Sequence, residues 1–429
     1  MNFYSIKDKS HKVGFAQAMN NGLAPERGLY YPEVVPNYSE KFFETMGELS
    51  LPDLATEVLA PYVESDISKT QLSEITKKVF DFEVPLFEVE ENIFALELFH
   101  GPTLAFKDIG ARFLSNSVGL LNKGKNIRVL VATSGDTGSA VANGFLGVDG
   151  TEVVVLYPKG KVSELQQKQF ASLGQNITAI AIEGTFDDCQ SLVKQAFTDD
   201  ELNSKMNLTS ANSINVARWI PQSVYYYWAV AQLPQNGKKS VISVPSGNLG
   251  NITSGLLAKK TGLHVDKFIA ASNKNDIVPG FLASGKYEPR PTELTIANAM
   301  DVGDPNNFPR LLEIYNNDIT AIQNEISGFS YSDEEIKQII IDCYKANEYL
   351  LDPHGATGYA SVKAFNKNND HNCIFLETAH PGKFNTTVEA IINEKVVLPP
   401  KLEAFNKREI NAQTMSKDFK DFKDFLLEA

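Results

Sequence analysis

The segment Phe99-His100-Gly101-Pro102-Thr103-Leu104-Ala105-Phe106-Lys107-Asp108 sets a lysine in an apolar loop after one predicted strand and before a predicted helix. Desolvation disfavours an ammonium there, and a neutral amine can attack a carbonyl carbon to form a Schiff base. A lone lysine usually only packs its stem along the surface, so Lys107 takes its meaning from its neighbours. Pro245-Ser246-Gly247-Asn248-Leu249-Gly250-Asn251 joins a predicted strand over 240–244 to a predicted helix over 251–260. Converging backbone N–H groups at a helix start suit a phosphate dianion, although the same residues would also make an ordinary tight turn. The loop is not GxGxxG and no acidic ribose partner follows it, which argues against a dinucleotide. Gly119 to Asn126 resembles a P-loop but follows a helix and ends in Asn, so it is rejected. Thr133-Ser134-Gly135-Asp136-Thr137-Gly138-Ser139 places hydroxyls and N–H groups at another helix start, suited to a carboxylate or to plain capping. In Ser210-Ala211-Asn212-Ser213-Ile214-Asn215-Val216-Ala217-Arg218, the arginine lies about one turn beyond Asn and Ser, a fit for a second anion. Thr378, in Glu377-Thr378-Ala379-His380-Pro381-Gly382-Lys383-Phe384, closes a predicted strand.

These residues need elements that bring them together. Short apolar runs at 93–98, 127–132, 152–157, 177–182, 240–244, 267–271 and 373–377 alternate with helical stretches at 108–122, 137–147, 163–173, 186–197, 214–232 and 251–260. Such alternation predicts parallel sheets covered by helices, with ligand contacts at the C-terminal ends of strands. Residues 1 to about 90 differ, with turn chemistry followed by helical stretches at 52–63 and 67–79. A boundary is expected near 82–92. Residues 280–335 are less regular, and 404–427 reads as an amphipathic surface helix.

The chain has 429 residues, enough for two or three domains, and a formal net charge of −13. That balance argues against nonspecific binding to nucleic acid or an anionic membrane, but leaves room for a local basic pocket. Three scattered cysteines, Cys189, Cys343 and Cys373, give neither a zinc pattern nor a disulfide framework. No metal is expected. The opening residues lack the apolar core of a signal peptide, and no apolar run is long enough for a membrane span. The expectation is a cytoplasmic protein.

Taken together, a candidate Schiff-base lysine, a phosphate cradle and two further anion loops suggest pyridoxal 5′-phosphate and an amino-acid substrate that itself carries an anion. The segments HGPTLAFKD (100–108), ATSGDTG (132–138), SANSINVAR (210–218), PSGNLGN (245–251) and TAHPGKF (378–384) closely resemble the threonine synthase family. That family lies in the tryptophan-synthase-β-like group, fold type II. GLAPERGLYYPE (22–33) is similar to the N-terminal domain of its longer, microbial form. The resemblance runs from about residue 1 to 395; the last 30 residues match none of its motifs. It implies two parallel-rich twisted sheets covered by helices, with a mainly helical N-terminal domain over 1–90. The catalytic region would span 91–395 as two α/β subdomains, followed by a helical extension over 396–429.

The resemblance further implies that Lys107 holds the cofactor, that Gly247, Asn248, Leu249, Gly250 and Asn251 bind its phosphate, and that Thr378 meets the pyridine nitrogen. Asp136 would face the ring hydroxyl, where many relatives carry asparagine. Ser134, Gly135 and Thr137 would take the substrate carboxylate or reach its phosphate, and Asn212, Ser213 and Arg218 would clamp that phosphate. The implied reaction turns O-phospho-L-homoserine and water into L-threonine and phosphate. The alternatives are a related phospholyase that releases a keto acid, or another fold type II lyase such as threonine dehydratase. Oligomeric state is not legible in the chain.

Overall fold

Fourteen strands appear in the computed structural model, which describes residues 1–368 and 370–428. β1 (Asn2–Ser5), β2 (Lys12–Gly14) and β3 (Tyr30–Pro32) form an antiparallel sheet in the order β2-β1-β3. The N-terminal region is therefore not helical alone: this sheet precedes helices at Leu51–Val63 and Lys69–Val79. Its strands have three or four residues, too short for alternation to stand out.

The rest of the chain builds two sheets. β4 (Leu86–Glu90) and β5 (Ile93–Glu97) open the larger one. β6 (Ile127–Ala132), β7 (Thr151–Pro158), β8 (Ile177–Ile182) and β9 (Asn207–Ser210) belong to the smaller. β10 (Lys239–Pro245), β11 (Lys267–Ser272), β12 (Ile326–Ser330) and β13 (His371–Glu377) return to the larger, and β14 (Gln413–Met415) joins the smaller. The orders are β12-β11-β10-β13-β5-β4 and β14-β8-β7-β6-β9. Every pair is parallel except β4 with β5, at one edge. The seven expected strands are all present, because a parallel strand covered on both faces reads as an unbroken apolar run. β6, IRVLVA, is buried at every position.

Two regions depart from expectation. The irregular stretch 280–335 contains β12 and helices at Phe308–Ile314 and Ile319–Glu325. The tail is not one helix: Pro400–Asn406 and Phe419–Glu428 flank β14, which pairs with Ile180–Ile182 at the open edge of β8. Unpaired groups on a sheet edge invite such an added strand, and three residues are too few to announce it. Phe422 and Leu426 then bury against Ile180, Ile182 and Leu192.

Candidate active site

The two large sheets turn the C-terminal ends of β5, β6, β9, β10 and β13 toward one cleft. Lys107 is the first residue of the helix Lys107–Leu121. The loop before it is fixed by contacts on both sides. Phe106 N donates to Thr378 O at 2.9 Å and His380 N to Leu104 O at 3.1 Å. Thr103 gives both its N–H (2.9 Å) and its hydroxyl (2.6 Å) to the Asp108 carboxylate. Leu104 takes a left-handed φ of 56°, an unusual conformation for a non-glycine residue, held under Leu165, Leu402 and Phe405.

The sequence-predicted residues converge. Lys107, Ser134, Asp136, Thr137, Asn212, Ser213, Arg218, the loop Gly247–Asn251 and Thr378 all line one cavity. Gly135 stands behind its wall: its N–H goes to Thr133 Oγ1 at 2.9 Å, and its φ of 142° brings it against Gln166. A Cβ there would sit 2.6 Å from the Gln166 amide, so the position needs glycine.

The phosphate cradle follows from β10 running into the helix Gly250–Lys260, with Leu249 in the left-handed region at φ 59°. Asn248 is tied from outside, its Oδ1 accepting from Asn306 N at 3.2 Å and its carbonyl from Asn307 Nδ2 at 2.9 Å. Asn251 Oδ1 accepts from the Tyr226 hydroxyl at 2.7 Å, while its buried Nδ2 has no partner within the protein. A cradle at a helix start with an unspent buried donor fits the phosphate of pyridoxal phosphate. Gly247 must stay small, since a Cβ would lie 2.9 Å from Met300 Cα and 3.1 Å from Ala299 O. Gly247→Ala should therefore push the loop outward and weaken equilibrium binding of pyridoxal phosphate by about tenfold or more, with Lys107 intact. Titration of the absorbance measures this, and an unchanged affinity would contradict it.

The same cavity holds a second anion-seeking group. Arg218 is 1% exposed. One of its Nη groups donates to Ala211 O, and its Nε has no partner. Burial lowers the guanidinium to about 10, so it stays charged at neutral pH. Asn212 is partly spent on structure: Nδ2 donates to Ala132 O at 2.9 Å and Oδ1 accepts from Ala132 N at 3.3 Å. Ser213 Oγ accepts from Asn307 Nδ2 at 3.1 Å. Asn307 thus bridges the two anion loops. Arg310, fully buried above the Trp219 ring, donates to Ser213 O (3.1 Å) and Asn307 Oδ1 (2.6 Å). Neither Asn307 nor Arg310 was singled out from sequence, because they sit in the irregular stretch and act only through distant loops.

Near the lysine, Asp136 Oδ2 lies 3.7 Å from Lys107 Nζ. Its Oδ1 accepts from Lys383 Nζ at 2.7 Å and from Gln166 Nε2 at 3.0 Å. Burial pushes this carboxyl up, but Lys383 and Lys107 more than reverse it and hold it well below the usual carboxylate range. Lys107 is driven below the ordinary lysine value, first by burial. Such a shift is what a nucleophilic amine needs. His354 and Asp301 also line the cavity; burial raises Asp301 to about 6.

Known proteins resemble the chain over its whole length. Residues 82–373 match the family model for pyridoxal-phosphate dependent enzymes, 2–80 that for the threonine synthase N terminus, and 355–426 that for the threonine synthase C-terminal region. The last match takes in most of the tail, where the sequence shows no family motif. The chain is 43% identical to the threonine synthase of Haemophilus influenzae over 100% of both chains. Its fold resembles the crystal structure of threonine synthase from Escherichia coli with a TM-score of 0.95 and 42% identity, covering 100% of both chains. It resembles the pyridoxal-phosphate-bound threonine synthase from Brucella melitensis with a TM-score of 0.92 and 33% identity, covering 100% of this chain and 99% of that one.

Proposed function

The chain belongs to the threonine synthase family of pyridoxal-phosphate-dependent enzymes, and from that membership we propose that it converts O-phospho-L-homoserine and water to L-threonine and phosphate. The observation that carries the reading is one amine flanked by two separate anion sites in one cavity. Lys107 shares its cavity with the Gly247–Asn251 cradle and with Arg218, whose Nε has no partner. A lyase whose substrate has no phosphate would not need the second.

When bound, pyridoxal phosphate supplies an electron sink for charge developing at the substrate's Cα. Lys107 is the attachment point, and its released amine is placed to take protons from Cα and then Cβ and to return protons to Cγ and Cα. Arg218, with Asn212 and Ser213, holds the phosphate that departs from Cγ. Ser134, Thr137 and the N–H groups at the start of the helix Asp136–Phe145 receive the substrate carboxylate. Loss of the Cβ proton expels phosphate from Cγ; Cγ then gains a proton, and water adds at Cβ. The three cysteines are buried and unpaired, in keeping with a cytoplasmic setting.

The test is product analysis of the full-length holoenzyme given O-phospho-L-homoserine. Threonine and phosphate in equal amounts are expected. A keto acid in place of threonine would make the protein a phospholyase, and turnover of threonine itself would make it a dehydratase.

Thr378 carries a further prediction. It is 6% exposed, lines the cavity and follows Glu377, whose carboxyl is raised well above normal by burial and by Asp352. A threonine hydroxyl facing the pyridine nitrogen leaves that nitrogen uncharged, whereas an aspartate would pair with a protonated ring. Thr378→Asp should keep cofactor binding but raise the ratio of keto acid to threonine by about tenfold, the effect of roughly 1.4 kcal/mol. An unaltered ratio in the folded variant would remove Thr378 from the site.

A further inference from the structure

Lys383 lies in the short 3-10 turn Pro381–Phe384 after β13, and its side chain is wholly buried. Its Nζ donates to Asp136 Oδ1 at 2.7 Å and to Thr103 O at 2.8 Å. Lys107 approaches the other oxygen of the same carboxylate, but only to 3.7 Å. Its Nζ also lies over the face of Phe106, 4.4 Å away. One buried carboxylate thus stands between two amines and is shared unequally.

We propose that Lys383 is the charge-holding partner of the site: by occupying the Asp136 carboxylate it leaves Lys107 as the neutral, nucleophilic amine. Two ammonium groups on one buried carboxylate would repel each other in a medium of low dielectric, so one of them gives up its proton. Lys383 has the shorter ion pair and a carbonyl that demands a donor. Lys107 has neither. Of the other charged groups around Lys107, Arg218 acts in the same sense. Arg218 cannot shed its proton at neutral pH and adds a second fixed cation. Asp108, on Lys107's own helix, is taken up by the two donors of Thr103. Asp301 and His354 also line the cavity, and the Tyr225 hydroxyl is spent on Phe106 O. Lys107 is depressed by burial foremost, with Lys383 and Arg218 acting against Asp136. Lys383 touches neither cofactor nor substrate in this scheme; it is a positioning residue acting through Asp136.

The inference rests on Lys107 being the cofactor's attachment point. Attachment joins Nζ to the aldehyde carbon with loss of water, and it needs the lone pair that a proton would occupy. The experiment adds pyridoxal phosphate to the full-length chain freed of cofactor, traps the adduct with borohydride over a range of pH, and locates it by peptide mass. In the parent, attachment at Lys107 should proceed well below the ordinary lysine range of ~10.4. In Lys383→Met, Asp136 is left to Lys107 alone, and attachment near neutral pH should be at least about tenfold slower. The midpoint of its pH profile should rise by about one unit or more. Asp136→Asn/Lys383→Met removes both charges and should return the midpoint toward the parent's. Three results would overturn the proposal: an unshifted midpoint in folded Lys383→Met, a double variant as slow as the single, or a parent Lys107 reacting only in the ordinary lysine range. The parent profile stands even if Lys383→Met does not fold. An adduct on some other lysine would instead defeat the assignment of Lys107 itself.

Discussion

Lys107→Ala should lose at least about 10⁴-fold in threonine formation, because one amine serves both as attachment point and as proton carrier. The variant should still fold. Asp136 keeps its 2.7 Å ion pair with Lys383, so no buried carboxylate is left uncompensated. The cradle Gly247–Asn251 is untouched, and pyridoxal phosphate should still bind, now without a covalent link. Borohydride would then leave the chain mass unchanged, whereas the parent gains a stable adduct. Turnover assay and mass spectrometry together check this. Near-normal turnover in the alanine variant would sink the assignment of the lysine and of the mechanism built on it.

Arg218→Ala should lower kcat/KM for O-phospho-L-homoserine by about 2–4 kcal/mol, roughly 30- to 1000-fold, the scale of removing one partner of a buried charge pair. The physical ground is that buried cations are normally paired, yet Arg218 meets the Ala211 carbonyl and no carboxylate. On the proposed reading, its counter-charge is the substrate's phosphate. Cofactor content should be unchanged, since the cofactor phosphate sits on the other loop. Arg218→Gln, which keeps much of the side-chain volume without the charge, should show a loss of similar order and so separate charge from packing. Loss of cofactor with intact substrate kinetics would mean that the two anion sites have been interchanged.

The chemistry of this protein was legible locally. Each functional loop lies at the end of a parallel strand. Strands covered on both faces announce themselves as apolar runs, and loops that bind anions carry Gly, Ser, Asn and Thr in short contiguous stretches. Lys107, the cradle and the Arg218 segment could therefore be read one by one, and their convergence inferred from where α/β sheets present ligands. Elements lacking that local signal were missed. β9, β12 and β14 have three to five residues. The expected helix over 214–232 is split into Val216–Trp219, a 3-10 turn containing Pro221, and Val224–Ala231.

What the sequence by itself determined was the set of reactive groups and the elements that carry them. Only the tertiary structure decided how those groups are charged and braced. Asp136 opens the helix after β6 and Lys383 lies in the turn after β13, on different sheets, and nothing in the spacing of either says that they share a proton's worth of charge. Asn307 and Arg310 join the two anion loops across the cleft, and the tail closes the edge of β8 and covers Leu104 beside the lysine. Periodicity records which face of an element is buried. It holds no record of which distant side chain meets it there, because that choice is made by the packing of whole sheets and helices against one another.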